Sequence, residues 1–184
     1  MSFLAELWLP ILLSSVGVFV VSSIIHMCTP MHKTDYAHLS DEKNVLEGLR
    51  NKGVKPGMYM FPGAECMKDM GNPEYIAKCE LGPVGYMIVL PSKMWDMNKS
   101  LLQWFLYSVL MSVLTAYVAN FSLLPVADFG DVMRLTGTVA TIGYAMAAVP
   151  DSIWKGIHWG VTFRFVVDGL LYGLTTGAIF AWMW

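Results

Sequence analysis

Long apolar stretches, interrupted by one extended polar segment, set the pattern of this chain. No Asp, Glu, Lys or Arg occurs from Leu7 to Thr29, and none occurs from Leu101 to Leu124. About 20 apolar residues in a helix cross a bilayer core of roughly 30 Å, so each stretch predicts a membrane-spanning helix. Two further spans are expected. Val132 to Val149 is short, with Arg134 at its start, and Val161 to Trp184 is long enough but holds Arg164 and Asp168. The expected fold is all-α and transmembrane: a four-helix membrane bundle with a cytoplasmic loop of mixed short helix and strand between helices 1 and 2. In the alternative, the last two helices form a tight hairpin that enters without fully crossing. Residues 1–30 make the first span, 31–100 the loop or cap, and 101–184 the other three spans.

The polar segment carries its own signals. Leu39-Ser40-Asp41-Glu42 reads as a helix start, with Ser40 as N-cap and acids in the first turn. Val45, Leu46 and Leu49 give that helix one apolar edge, and Gly53 fits its C-terminal cap. "KPGMYMFPG" and "LGPVGYMIVLPS" each hold a short β-prone run bounded by Gly and Pro, suited to pairing with each other. Between them, "NPEYIAK" offers Asn72 as N-cap and Pro73 at the first helical position.

Composition agrees with a membrane location. Of 184 residues 55% are hydrophobic and only 14% charged, against roughly 25% charged in an ordinary globular domain. The first apolar stretch has no basic leader and is too long for the apolar part of a signal peptide, so it reads as a retained anchor. Nine of the twelve Lys and Arg lie between Lys33 and Lys99, Lys155 falls on the same side if all four helices cross, and Arg134 alone falls opposite. Positive charge favours the cytoplasmic side, which predicts a cytoplasmic loop and outward-facing termini. The net charge of -2, with no run of like charges, speaks against nucleic acid as a partner. Cys28, Cys66 and Cys79 are odd in number and read as reduced thiols.

Small residues lace the apolar helices. Gly169, Gly173 and Gly177 recur every four positions, as do Ser108, Ser112, Ala116 and Asn120. The third span carries Gly137, Ala140, Gly143, Ala147 and Ala148. Such faces let helix backbones approach closely in lipid; they serve either as internal seams of the bundle or as a face for a membrane-protein partner or homo-oligomer. "TPMHKTDYAHLSDE", "PSKMWDMNKSLLQWFLYSVL" and "FVVDGLLYGLTTGAIFAWMW" resemble segments of a family of small bacterial membrane proteins without an assigned activity. That resemblance covers nearly the whole chain. It implies a four-helix topology in the inner membrane and brings no catalytic residue with it.

Two places could hold chemistry. The first is "HMCTPMH", residues 26–32. His26, Cys28, Met31 and His32 are metal-ligand types, and soft donors suit Cu(I). Consecutive helical residues point about 100° apart, so His26, Met27 and Cys28 do not converge on one ion. No metal and no cofactor is therefore expected there. The second is Arg164 and Asp168, four apart on one helix face. With entry near Gly160, Arg164 lies about 6 Å deep and Asp168 about 12 Å at 1.5 Å per residue. Arg can reach back to the interface, whereas a short carboxylate needs a partner inside the bundle. Arg164 is the expected partner. The same depth on the other helices reaches Ser108 and Thr141, with His26 and Gln103 nearer the boundary. These six residues form an expected polar cluster, either a register-fixing ion pair or a relay.

No phosphate-binding loop, nucleophile elbow or acid–base pair is present, so an enzyme is not expected. The leading expectation is a non-catalytic accessory or structural subunit packing against a larger membrane complex. The other is a small transporter or sensor using Asp168, Arg164 and His26.

Overall fold

In a computed structural model, residues 2–184 are described. Among them, four helical runs are long and apolar enough to cross a membrane: Trp8–Cys28, Met97–Ser122, Phe129–Lys155 and Trp159–Met183. The chain is accordingly a multi-pass membrane protein. It divides into two compact units, residues 1–35 with 96–184, and residues 36–95. The expected boundaries at 30/31 and 100/101 therefore shift. His32 and Asp35 belong with the helices, because their side chains meet Asp168 and Arg164 of the last one.

The membrane unit begins with α1 (Ser2–Glu6) and α2 (Trp8–Cys28). Pro10 sits in the first turn of α2, where a missing N–H costs little. The serines of α2 donate to carbonyls of their own helix: Ser14 to Pro10 (2.6 Å), Ser15 to Ile11 (2.7 Å) and Ser23 to Phe19 (2.8 Å). Polar side chains thus enter an apolar helix without leaving a donor unpaired. In α5 (Met97–Ser122) the Asp96 carboxylate caps the N-terminus, accepting from Lys99 N–H.

The third span is longer than Val132 to Val149. It starts at α6 (Phe129–Ala145), capped by Asp128, tightens to a 3₁₀ turn at Met146–Ala148, and resumes as α7 (Val149–Lys155). Pro150 explains the tightening: it lacks the N–H that would bond one turn back. Gly156, at φ +70°, ends the run. α8 (Trp159–Met183) follows, with His158 Nδ1 accepting from Gly160 N–H.

The broadest pairing is α6 on α8; α2 packs on α8 and α5, and α5 on α6. Glycine sets the closeness. A Cβ on Gly169 would lie 2.6 Å from Ala145 Cβ, and one on Gly177 would lie 3.0 Å from Gly137 Cα. A Cβ on Gly173 would collide with Thr141 Oγ1 and the Gly137 carbonyl. Across the other side, Ser14 and Ser15 Oγ lie 3.0 and 3.2 Å from Ser112 Oγ, whose own hydroxyl proton can go to one of them. Ser108, Ser112 and Ala116 are fully buried. Both small-residue seams thus run inside the unit.

In the second unit, α3 (Glu42–Asn51) is capped by Asp41 rather than Ser40, and no side chain bonds its free N–H groups. Asp41 instead accepts from Asn44 Nδ2 at 2.7 Å. Its C-terminus follows expectation: Gly53, at φ +63°, donates to Arg50 O and Val54 donates to Leu49 O. β1 (Gly57–Phe61) and β2 (Gly85–Val89) pair antiparallel, Gly57 opposite Val89 and Phe61 opposite Gly85. α4 (Pro73–Leu81) lies between them in sequence, with Asn72 at the N-cap position and Pro73 in the first turn.

Candidate functional site: a histidine–aspartate pocket

The chain after α2 turns back at Pro30, and a short turn carries His32 and Asp35 onto α8. The His26 and His32 rings then meet edge to face, centroids 4.4 Å apart. His32 Nε2 lies 3.0 Å from Asp168 Oδ2, and His32 Nδ1 lies 2.6 Å from Asp35 Oδ2. Arg164 Nε donates to Asp35 Oδ1 at 2.6 Å, and its Nη2 approaches the same oxygen. The result is a chain of contacts, Arg164–Asp35–His32–Asp168, with His26 alongside.

The expected Arg164–Asp168 pair is therefore replaced. Arg164 reaches outward to Asp35, as a long side chain near a boundary can, and Asp168 faces the histidines. The Asp168 side chain is 3% exposed and Asp35 is equally covered, while Arg164 retains 24%. Burial acts first on the Asp35 carboxyl and favours its neutral form, but hydrogen bonds from His32 and Arg164 and the guanidinium charge outweigh it. Its pKa is held below the ordinary carboxylate value.

The other expected members separate. Gln103 is exposed on α5, because its position faces away from α2 and α8. Thr141 lies in the α6–α8 seam against Gly173, and Ser108 gives its hydroxyl proton to Trp104 O (3.1 Å). In the "HMCTPMH" stretch, His26 and His32 come together, Cys28 is exposed, and Met31 packs against the Val18–Ile25–Tyr172 cluster. Asp35 and His32 are the members that depth counting misses. They lie outside the span and are returned to it by a turn that periodicity does not reveal.

Asp168 and His26 open onto a cavity of about 580 Å³ between α2, α5, α6 and α8. Trp104, Tyr144 and Tyr172 form its aromatic wall, with ring centroids 5.5–6.0 Å apart. Trp104 is held by donating to Ser22 Oγ at 2.8 Å. Met27, Met97 and Leu101, all exposed, make the rim.

No family model, curated protein or solved structure matches this chain. The geometry alone therefore carries the functional reading.

Its most informative feature is a set of buried polar atoms with no hydrogen-bond partner among the described residues: Asp168 Oδ1 and Oδ2, Tyr144 OH, Tyr172 OH and His32 Nε2. The 3.0 Å between His32 Nε2 and Asp168 Oδ2 is an ion-pair distance, without the alignment of a regular hydrogen bond. We treat the pair as a close approach rather than a bond.

Proposed function

We propose that this protein binds a lipid-soluble molecule with a polar end, as a receptor or carrier for it. The carrying observation is that Asp168, Tyr144 and Tyr172, each with a buried side-chain oxygen lacking a partner, line one aromatic-walled cavity. Within a bilayer each such group left unpaired costs several kcal/mol until a partner repays it. A ligand with its own donors does so. The cavity size falls within the roughly 300–1,000 Å³ of small-molecule sites, and its wall suits an apolar or flat body. This makes the reading a specific form of the transporter-or-sensor expectation. The test is organic extraction of chain purified in mild detergent, read by mass spectrometry. A compound in stoichiometric amount should leave the wild type and be depleted in Tyr144→Phe/Tyr172→Phe and in Leu101→Trp, which fills the rim. Identical extracts from all three would sink the reading.

The accessory-subunit reading draws support from the second unit. Met58, Tyr86, Ile88 and Leu90 expose an apolar face of the hairpin, and a two-stranded sheet alone is marginal in water. A partner that co-purifies reproducibly and is lost in Ile88→Lys would favour it; a monodisperse particle of this chain alone would reject it.

For orientation, we place residues 36–95 in the cytoplasm of a bacterial cell and both termini outside the inner membrane. The Lys and Arg distribution supports the sidedness, and the family resemblance supports the compartment. In a chain cleared of its own cysteines, an impermeant thiol reagent applied to intact cells should label a cysteine at position 2 and spare one near residue 55. The opposite pattern inverts the topology.

A further inference from the structure

We infer that His26, His32 and Asp168 bind a divalent transition metal of the zinc class on the floor of the cavity. The inference rests on the ligand-binding reading only in directing the open coordination position toward that cavity.

The donor set comes first. One ligand atom from each of the three side chains lies within 4.8 Å of the other two. Zn²⁺ holds imidazole nitrogen and carboxylate oxygen at about 2.0–2.2 Å in near-tetrahedral geometry, so neighbouring ligand atoms sit roughly 3–3.5 Å apart. The 3.0 Å between His32 Nε2 and Asp168 Oδ2 matches that separation. Two imidazoles disfavour Mg²⁺ and Ca²⁺, which take oxygen ligands. Cu(I) would want the thiolate and thioether of the same stretch, but Cys28 is not among the converging ligand atoms and Met31 packs into the Val18–Ile25–Tyr172 cluster.

Proton accounting supports a cation more directly. Asp35 accepts from Arg164 and is an acceptor only, so His32 Nδ1 must be the donor in their 2.6 Å contact. In neutral His32, Nε2 then carries a lone pair. That lone pair stands 3.0 Å from a carboxylate oxygen that is itself unpaired. Two acceptors at this distance repel unless a positive charge lies between them. A shared proton supplies it for this pair alone, whereas a metal ion also engages His26, whose ligand atom lies within 4.8 Å of both. A metal ion placed off the direct line satisfies Nε2 and Oδ2 together.

The surroundings match what metal-bound histidines have. Their second nitrogen usually donates to a carboxylate, which fixes tautomer and ring orientation. Asp35 does this for His32, and Arg164 in turn holds Asp35. Asp168, only 2% exposed, is the buried anion that offsets part of the ion's charge. With neutral histidines, the site keeps one net positive charge. An oxygen donor entering from the cavity would complete the coordination, and an anionic one would also cancel that charge.

The test uses the full chain in detergent, stripped with chelator and then titrated with Zn²⁺. Bound metal is read by elemental analysis, and Co²⁺ absorption serves as a second readout. One ion per chain is expected. Asp168→Asn, His32→Ala and His26→Gln should each weaken binding by roughly a hundredfold or more, and Asp35→Asn by about 10–100-fold. Cys28→Ser should bind as wild type. His26 is exposed, so its substitution spares the fold and keeps the test decisive if Asp168 or His32 variants do not fold. Absence of stoichiometric wild-type binding, or unchanged affinity in His26→Gln, overturns the site. Solvent extraction of the chelated protein runs in parallel. A retained organic ligand without zinc binding rejects the metal alone, and zinc binding without a ligand rejects the cavity reading alone.

Discussion

The two units solve the same problem with opposite means. In the membrane unit many of the buried side chains are small or hydroxylated: Ser14, Ser15, Ser108, Ser112, Thr115, Thr136 and Thr176 are all closed off, beside a few large apolar ones such as Val18, Val132 and Phe180. In residues 36–95 no side chain is buried. Lipid offers helices no hydrophobic reason to associate, so contact depends on backbone approach and on hydroxyls that find partners within a helix or across a seam. The second unit has too few layers to form a core. Its order comes from local devices: the Gly53 cap, the Pro73 helix start and the β1–β2 ladder. Small residues therefore have opposite meanings in the two places. In α8 a glycine is a contact, whereas in α3 it is a gap.

The sharpest way to break this contrast is Gly173→Leu. The added side chain would drive into Thr141 and the Gly137 backbone, neither of which can move without separating α6 from α8. A loss of about 3 kcal/mol is expected, at the upper end of ordinary overpacking, read as a lowered thermal midpoint in detergent. Wild-type stability would show that the seam is not a tight contact.

Arg164→Ala comes next and probes the charged contacts of the membrane unit. It removes a charged partner from covered Asp35 and loosens His32 behind it. Arg164 is partly exposed, so the full 3–5 kcal/mol of a broken buried pair does not apply; about 2 kcal/mol is expected. The same melt should show a smaller loss for Arg164→Lys, which keeps the charge but not the fork. If Arg164→Ala costs nothing, Asp35 is solvated and does not orient His32.

The smallest effect has the opposite sign. Gly48→Ala lies in α3, where a Cβ would meet nothing within 4 Å. A gain of about 0.5–1 kcal/mol is expected from helix propensity. Amide exchange localised to α3 would detect it as slowed opening. Faster exchange would mean that this face is covered in the working protein.

Local chemistry was legible wherever neighbours in sequence decide the outcome. Two charge-free runs and two long runs with only one or two charges revealed the four apolar helices, because lipid tolerates few charges at depth. Gly53, Pro73 and the two β-prone runs could be read because caps and turns involve only adjacent residues. The N-cap of α3 was misplaced by one position, to Ser40 instead of Asp41, since both are good capping types and only the backbone angles choose.

The sequence by itself determined that these helices belong in lipid, where small residues let them touch, and that Asp168 could not stay alone. It also suggested a partner by the rule available to it, one turn along the same helix. Only the tertiary structure decided otherwise. The turn after α2 brings Asp35 within reach of Arg164, 129 residues away in sequence, and sets His32 against Asp168. Helical periodicity speaks only of residues three or four apart. A partner supplied by another helix depends on how two helices are rotated and where a loop returns. Packing sets those quantities, and with them the meeting of two histidines and an aspartate at one cavity.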